Sequence, residues 1–309
     1  MDLKKINGLI NIYKEKGRSS YSIINELKKI FKNKKIGHSG TLDINASGVL
    51  VVGIGEGTKV LEYLLSSKKT YIAELVFGLS SNTDDITGNI SFYNGKKNIS
   101  DIKLIEIIKI FNYFKNNTYL QIPSMYSNVK IKGKKLYEYA IKNIDIKIKP
   151  RKVKIYNIRA LSDIKENYGR KSLYFYVEVS KGTYIRKLCV DIGDKIGIPC
   201  IMGNLERIKI GKFKKDNSFN IDEIIKKIKN KDFSFINSID KALIKKNFIF
   251  INLDFYKEKY KKIKNGEILS NDFLKNFKIK RKIAFFFNNK LVSICKIRNN
   301  KIIILKNIN

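Results

Sequence analysis

The sequence has few of the residues that build metal centres or covalent cross-links. Its 309 residues include three cysteines, one histidine, three prolines and no tryptophan. Cys189, Cys200 and Cys295 are widely spaced, form no CxxC pair, and have only His38 as a histidine partner. Because a structural zinc site needs about four such ligands at close spacing, we expect no metal centre. Three scattered cysteines also make no disulfide framework, so the compartment is expected to be reducing.

Long apolar runs are missing as well. No segment approaches the roughly 18 consecutive apolar residues that a membrane-spanning helix needs, so we do not expect an integral membrane protein. The N-terminal sequence MDLKKI has no apolar core like that of a signal peptide, which predicts a cytoplasmic protein. Hydrophobic residues still make up 43% of the chain, enough for a folded core rather than a disordered polyelectrolyte.

Negative charge is scarce. The chain has 28 Asp and Glu against 63 Lys and Arg, a net charge of +35, and such an excess favours a polyanionic partner: nucleic acid or an anionic membrane surface. Only 8 of the basic residues are Arg, and Lys, Asn and Ile, which A/T-rich codons encode, are abundant. Genomic base composition can therefore also account for much of the charge, and charge alone identifies no specific partner.

Helix and strand patterns alternate irregularly along the chain. Apolar spacing predicts helices that begin near Ser19 or Ser20 and near Thr58, and further helices over 101–114, 187–196 and 255–264. Strand patterns occur at 49–54, 70–77, 172–179, 248–253, 283–287, 291–297 and 302–305. Because no regular βαβ period is present, the order favours an α+β fold.

The pattern changes near residue 245. Beyond it, short strands are joined by turns at Asn288-Asn289 and Asn299-Asn300. A unit of this length is small for an independent fold, so it is expected to pack on the rest of the chain. We therefore predict a main domain over 1–245, with a polar and basic insertion at 119–150, and a second domain over 246–309.

Residues 36–48 carry the first candidate chemistry. They lack periodicity and contain Gly, Ser and Asp, which predicts an ordered loop. Asp43 in this loop can be a nucleophile, a base, or a capping residue without catalytic role. His38 can bind a ligand or be a structural hydrogen-bond donor. The glycines at 53–57 lack GxGxxG spacing and precede no Walker sequence, so they predict a turn before a helix rather than a phosphate loop.

Several motifs, in one order, resemble those of the TruB family of tRNA pseudouridine synthases. They are GHSGTLDINASGVLVVGIGEGTK at 37–59, KTYI from Lys69, PSMYSNVK from Pro123 with GKKLYEYA from Gly133, SKGTYIR ending at Arg186, and LER ending at Arg207. The similarity covers about residues 7–210, and the C-terminal unit is similar to the family's small RNA-binding domain of the PUA type.

The sequence departs from the family pattern at two places. The family usually has proline after the lysine matched by Lys14 and after its catalytic aspartate, where this chain has Glu15 and Ile44. Because proline fixes φ, both departures concern the rigidity of the backbone, and neither removes a chemical group. We therefore still expect activity.

The resemblance implies both a fold and a reaction. The fold is an α+β catalytic domain centred on the mixed sheet of pseudouridine synthases, followed by a small β-rich, PUA-like domain. The reaction is isomerisation of uridine to pseudouridine at position 55 in the T loop of tRNA: the N1–C1′ bond breaks, the uracil rotates, and C5 bonds to C1′. The resemblance implies tRNA as partner and no metal or organic cofactor. No protein partner is predicted, and a monomer is expected.

The resemblance also implies roles for individual residues. Asp43 matches the essential aspartate, which attacks C1′, attacks C6 or assists an elimination. Tyr71 matches the tyrosine that stacks on the flipped base and can also handle a proton. Arg186 matches the arginine that pairs with the aspartate through a planar fork that lysine cannot reproduce. Tyr184 and Leu205 match residues that line the uracil pocket.

Three further residues match binding positions. His38 matches a histidine beside the flipped nucleotide, and Lys14 and Lys59 match basic motif positions that carry little information in so lysine-rich a chain. Non-catalytic roles stay open for two of the matched residues, since Tyr71 can be a core residue and Arg186 a surface residue. The whole chain can also be a tRNA-folding chaperone with little catalysis, or a binder of polyanions driven by charge alone.

Overall fold

The computed structural model describes Leu3 and residues 6–167, 169–270, 274 and 281–308. Its twenty strands are β1 (Gly8–Lys14), β2 (Ile36–His38), β3 (Ala46–Ile54), β4 (Lys69–Phe77), β5 (Leu79–Ser81), β6 (Ile90–Phe92), β7 (Thr118–Gln121), β8 (Lys130–Ile131), β9 (Lys134–Lys135), β10 (Arg151–Ala160), β11 (Lys165–Asn167), β12 (Arg170–Val179), β13 (Cys200–Ile210), β14 (Phe213–Lys214), β15 (Ile236–Asn237), β16 (Phe248–Asn252), β17 (Leu269–Ser270), β18 (Lys282–Phe287), β19 (Lys290–Arg298) and β20 (Lys301–Asn307) within the described ranges. Its α-helices there are α1 (Ser20–Ile30), α2 (Leu61–Leu65), α3 (Leu104–Phe114), α4 (Leu136–Ile141), α5 (Ile185–Ile196), α6 (Ile221–Lys229) and α7 (Lys257–Lys264).

A large mixed sheet forms the centre of the fold. Its main path runs β15-β1-β3-β13-β4-β12-β10-β7. Strand β13 lies parallel to β3 and antiparallel to β4, which places Arg207 beside Gly48 on one side and Tyr71 on the other. Three separate motifs of the sequence therefore meet on adjacent strands.

Apolar residues cover both faces of this sheet. Helices α3 and α5 pack on the β4–β12 half, in a core that includes Phe111, Phe175 and Leu188. Helices α1 and α6 pack on the β1–β3 half through Leu27 and Ile224. The side chain of Ser19 accepts a hydrogen bond from the Ser22 N–H and caps α1, as the sequence predicts.

A second sheet of five strands follows, in the order β16-β18-β19-β20-β17. It shares a buried apolar cluster with the main sheet, in which Leu9 and Val51 lie with Ala284 and Ile294. The expectation that this small unit packs on the rest of the chain is thus confirmed. The division of the chain at residues 245 and 246 stays a prediction.

The structure refines several boundaries. The loop predicted at 36–48 is shorter, because Ile36–His38 pairs with β3 and β3 itself begins at Ala46. A turn of 3-10 helix over Gly55–Val60 precedes α2, which agrees with the turn predicted there. Both Asn-Asn turns of the second sheet have positive φ at each residue, as two-residue hairpin turns require.

The structure describes the cysteine side chains and the helices to which two of the sequence-based expectations refer. All three cysteines are buried free thiols, and burial raises the pKa of Cys295 to about 11. Within the described ranges, no helix combines the length and apolarity that crossing a bilayer demands. Residues 1, 2, 4 and 5, on which the signal-peptide argument partly rests, lie outside those ranges.

Candidate active site

Asp43 lies in the loop that joins β2 to β3. The loop is fixed on both sides of Asp43: the buried Leu42 donates its N–H to Ser20 Oγ at 2.9 Å, and the Asp43 carbonyl accepts the Ala46 N–H at 3.1 Å. The Asp43 side chain itself is 44% exposed. A carboxylate on a fixed backbone therefore faces an accessible space.

Lys14 holds the residue after Asp43 in place. Its fully buried ammonium group donates to the carbonyl oxygens of Ile44 at 3.2 Å, Arg18 at 2.6 Å and Glu15 at 3.0 Å. The Ile44 carbonyl also accepts the Gly17 N–H at 2.8 Å. Burial lowers the pKa of Lys14 to about 8, against the opposing effect of Asp43. These hydrogen bonds restrain the backbone at Ile44, where the family usually has proline.

Replacing Lys14 with methionine is expected to destabilise the fold by on the order of 2–4 kcal/mol, because three carbonyl groups lose the charged donor that joins them. The measurement is urea unfolding, with the exposed Lys16→Met as matched control. An unchanged unfolding midpoint in the Lys14 variant would show that Lys14 does not support this loop.

Arg186 meets Asp43 from the first turn of α5. Its Nε lies 3.1 Å from Asp43 Oδ2, and its Nη2 lies 3.4 Å from Oδ1, so the two groups pair through a fork. The Arg186 side chain is only 6% exposed. Its remaining donors reach the carbonyl oxygens of Thr83 and Tyr126, each at 2.9 Å, which fixes the guanidinium plane.

A second carboxylate, Asp85, also lies near Nε of Arg186. Its Oδ2 is 3.8 Å from Arg186 Nε, while its Oδ1 accepts hydrogen bonds from Thr83 Oγ1 and from the N–H and Oγ1 of Thr87. Two carboxylates therefore share Nε of Arg186, one buried and one facing open space. The sequence analysis did not identify Asp85, because it lies in a polar segment without a recognisable motif.

The Asp43–Arg186 pair forms part of the wall of two adjoining cavities. The inner cavity has a volume of about 120 Å³ and the outer one about 570 Å³. The inner cavity brings together five residues that the sequence analysis selected: Asp43, Tyr71, Tyr184, Arg186 and Leu205. Both cavities share Asp43, Tyr71, Tyr184 and Arg186, so the two adjoin along this wall.

The walls of the inner cavity are rigid for identifiable reasons. Tyr71 is 8% exposed on β4, and Leu205 is 8% exposed on the neighbouring β13. Gln121 fixes the backbone of Tyr184 through two hydrogen bonds, at 2.8 Å to the N–H and 3.3 Å to the carbonyl. The cavity thus offers an aromatic ring, an aliphatic side chain and a carboxylate at fixed positions.

Comparison with known proteins identifies the family. A family model described as "TruB family pseudouridylate synthase (N terminal domain)" matches residues 28–185. The tRNA pseudouridine synthase B of Listeria welshimeri is 35% identical over 292 residues, covering 94% of this chain and 93% of that protein. The chain belongs to the TruB family. The Bacillus subtilis tRNA pseudouridine synthase B is 41% identical over 219 residues, 71% of this chain and 70% of that protein.

Solved structures support the fold of this TruB-family chain. A chain in a Cbf5-Nop10-Gar1 complex superposes with a TM-score of 0.72 at 22% identity, covering 98% of this chain and 85% of that chain. A chain in an H/ACA ribonucleoprotein bound to a substrate RNA gives 0.69 at 21% identity, with the same coverage. The likeness confirms the predicted fold class: a pseudouridine-synthase mixed sheet followed by a β-rich, PUA-like unit.

Three of the residues that the TruB motifs suggested lie outside both cavities: Lys14, described above, His38 and Lys59. His38 ends β2 and its Nδ1 accepts the Gly40 N–H at 3.3 Å, while burial, aided by Arg207, lowers the pKa of the imidazole. Lys59 donates to Glu56 at 2.6 Å and to the carbonyl of Asn307 at 2.7 Å, which ties it to the second sheet. The structure brings none of these three side chains into the cavity walls.

Two buried basic residues of the TruB motifs line a cavity although the sequence suggested no role for them, namely Lys69 and Arg207. Both line the outer cavity, and they are 7% and 2% exposed. Lys69 Nζ donates to the carbonyls of Leu64 at 3.3 Å and Ser67 at 2.9 Å, and burial followed by Arg207 lowers its pKa to about 7. The sequence feature that could have pointed to both residues is their position in the KTYI and LER motifs.

Gly48 permits the close approach of the strand that carries Arg207. A Cβ at this position would lie 2.3 Å from the Arg207 carbonyl oxygen, and the φ of +109° is one that residues with side chains rarely adopt. The glycine in the TruB signature loop is therefore needed to bring β13 against β3, next to the site.

Proposed function

We propose that this chain isomerises uridine to pseudouridine in tRNA, at position 55 of the T loop. The observation that carries the proposal is the Asp43–Arg186 pair at the junction of two cavities, with Tyr71 and Leu205 behind it. Membership of the TruB family supports the reaction, and the relatives are themselves named tRNA pseudouridine synthase B.

The two cavities suit a base that leaves its stack. In the proposed complex the T loop lies in the outer cavity and the target uracil enters the inner one, against the ring of Tyr71. Unstacking a base costs about a few kcal/mol, and stacking on an aromatic side chain returns roughly 1–3 kcal/mol. Leu205 and Tyr184 then confine the uracil while it turns.

Asp43 is the proposed catalytic carboxylate. Its oxygen atoms face the cavity while Arg186 holds them through a fork, so the carboxylate can attack C1′ or C6 or assist an elimination. The N1–C1′ bond breaks, the C5–C1′ bond forms, N1 gains a proton and C5 loses one. Tyr71 is one of two phenols in the inner cavity, and it can relay a proton by taking the C5 proton as its own hydroxyl proton passes to solvent.

The insertion at 119–150 is the proposed grip on the RNA. It contributes Tyr126, Ser127, Asn128, Tyr137 and Ile141 to the outer cavity. The adjacent β8–β9 hairpin carries the basic residues Lys130, Lys132, Lys134 and Lys135. A basic hairpin beside an aromatic-lined cavity is a combination that binds phosphates and unstacked bases.

A single-turnover assay on an unmodified T-loop hairpin tests the proposal. We expect a stoichiometric excess of protein to convert the target uridine completely, because the assay needs only binding and chemistry. A hairpin with cytidine at the target position serves as the control substrate. Binding of the uridine hairpin without any pseudouridine would instead support the tRNA-folding chaperone.

A further inference from the structure

Arg207 presents a free edge of its guanidinium group to the outer cavity. Its Nε donates to the Val49 carbonyl at 2.8 Å and its Nη2 to the Gly40 carbonyl at 3.0 Å. Within the described part of the chain, Nη1 donates to no acceptor and no carboxylate pairs with the side chain. The side chain is nevertheless buried, at 2% exposed.

Lys69 adds a second buried cation to the same wall. Among the described residues its ammonium group binds only backbone carbonyls, and burial, followed by the nearby Arg207 charge, lowers its pKa. Lys181 adds a third, exposed cation at the rim of the cavity. Among the described residues lining this cavity, Asp43 is the only carboxylate, and it is paired with Arg186.

A purely structural role accounts for only part of this arrangement. Holding the carbonyls of Val49 and Gly40 explains Nε and Nη2 of Arg207, but not the free Nη1. Two buried cations on one wall without a counter-ion are costly, because burial removes each from water and they repel each other. An anion in the outer cavity relieves both effects, and a guanidinium edge suits a phosphate in particular.

We propose that Arg207, supported by the charge of Lys69, binds one backbone phosphate of the substrate RNA beside the uridine that enters the inner cavity. The inference rests on the proposed function and names a contact within it. Arg207 is paired with Tyr71 across β13 and β4, strands that lie about 4.8 Å apart, so the phosphate site adjoins the stacking ring. A ribose then spans the distance between phosphate and base.

The test is a double-mutant cycle between protein and RNA. Affinities are measured for T-loop hairpins in which single phosphates flanking the target uridine are replaced by neutral methylphosphonates, using the full chain and its Arg207→Gln variant. We expect one such replacement to weaken binding to the unsubstituted chain about tenfold or more. Arg207→Gln should weaken binding of the unmodified hairpin by a similar factor, with no further loss from that methylphosphonate. The matched control, Arg170→Gln on an exposed strand end, should keep the full sensitivity.

If Arg207→Gln and the methylphosphonate each weakened binding independently, so that their factors multiplied in the double variant, the phosphate site would be overturned. If the unsubstituted chain converts the hairpin to pseudouridine but the two losses multiply, only the phosphate contact of Arg207 is refuted. If the unsubstituted chain neither binds nor converts the hairpin, the proposed function is refuted as well. If Arg207→Gln does not fold, the test is the set of affinities of the unsubstituted chain for the hairpins with single methylphosphonates. One dominant linkage next to the uridine supports the site, and equal small losses at every linkage contradict it.

Discussion

Asp43→Asn is expected to abolish pseudouridine formation while the affinity for tRNA stays close to that of the unsubstituted chain. Asparagine has nearly the same shape, so it can stay beside Arg186, but it cannot act as a carboxylate nucleophile. Loss of a nucleophile lowers the rate of an enzyme by roughly four to six orders of magnitude. The measurement is single-turnover conversion of a T-loop hairpin, with filter binding of the same RNA.

Two control variants accompany Asp43→Asn. Asp163→Asn changes an exposed carboxylate that lines neither cavity and should leave the rate unchanged. Asp43→Glu keeps the carboxylate but moves it relative to the fork, and should lose at least about 100-fold in rate through misplacement. If Asp43→Asn kept a tenth or more of the original rate, catalysis would not depend on this carboxylate.

The second large effect is expected at Arg186. Arg186→Lys keeps the charge but loses the fork that holds both oxygen atoms of Asp43, at 3.1 and 3.4 Å. We expect kcat to fall by about 100-fold or more with a much smaller change in KM, because a misplaced reacting group slows chemistry rather than binding. The measurement is steady-state kinetics on tRNA.

A second variant separates position from stability. Arg186→Met leaves Asp85 and the carbonyls of Thr83 and Tyr126 without their charged donor, so the fold should lose about 3–5 kcal/mol. Urea unfolding of both variants provides the comparison, with Arg170→Met as control. If Arg186→Lys retained full kcat, the planar fork would have no part in placing Asp43.

The resemblance to the TruB motifs selected the candidate reacting groups, since the chemistry of the residues alone left several roles open for Asp43. The structure brings Asp43, Tyr71 and Arg186 together around the inner cavity. Their roles stay predictions until the variants are measured. The irregular order of helices and strands was likewise enough to predict the fold class.

The supporting residues were harder to predict from sequence. Asp85 reaches Arg186 from a separate polar segment, and Lys14 acts through backbone carbonyls, so neither role follows from a local pattern. Strand β13 lacks regular apolar alternation, and its pairing register with β4 shifts between Met202 and Leu205. Tertiary packing thus decides the contacts that local periodicity does not describe.

Part of the excess positive charge lies at the candidate site. The cations of Lys69 and Arg207 line one cavity beside the proposed reacting groups, while many of the remaining lysines are exposed on the surface. For those exposed lysines, genomic base composition is still a sufficient cause. Total charge therefore says less about function than the few cations that lack carboxylate partners near the site.

The most direct test of the proposed reaction is a map of pseudouridine, at single-nucleotide resolution, in a full-length unmodified tRNA incubated with this protein. We predict complete conversion of one uridine, at position 55 of the T loop, and no conversion by Asp43→Asn under the same conditions. A tRNA that is bound but carries no pseudouridine, or one modified only at another position, would contradict the proposed reaction.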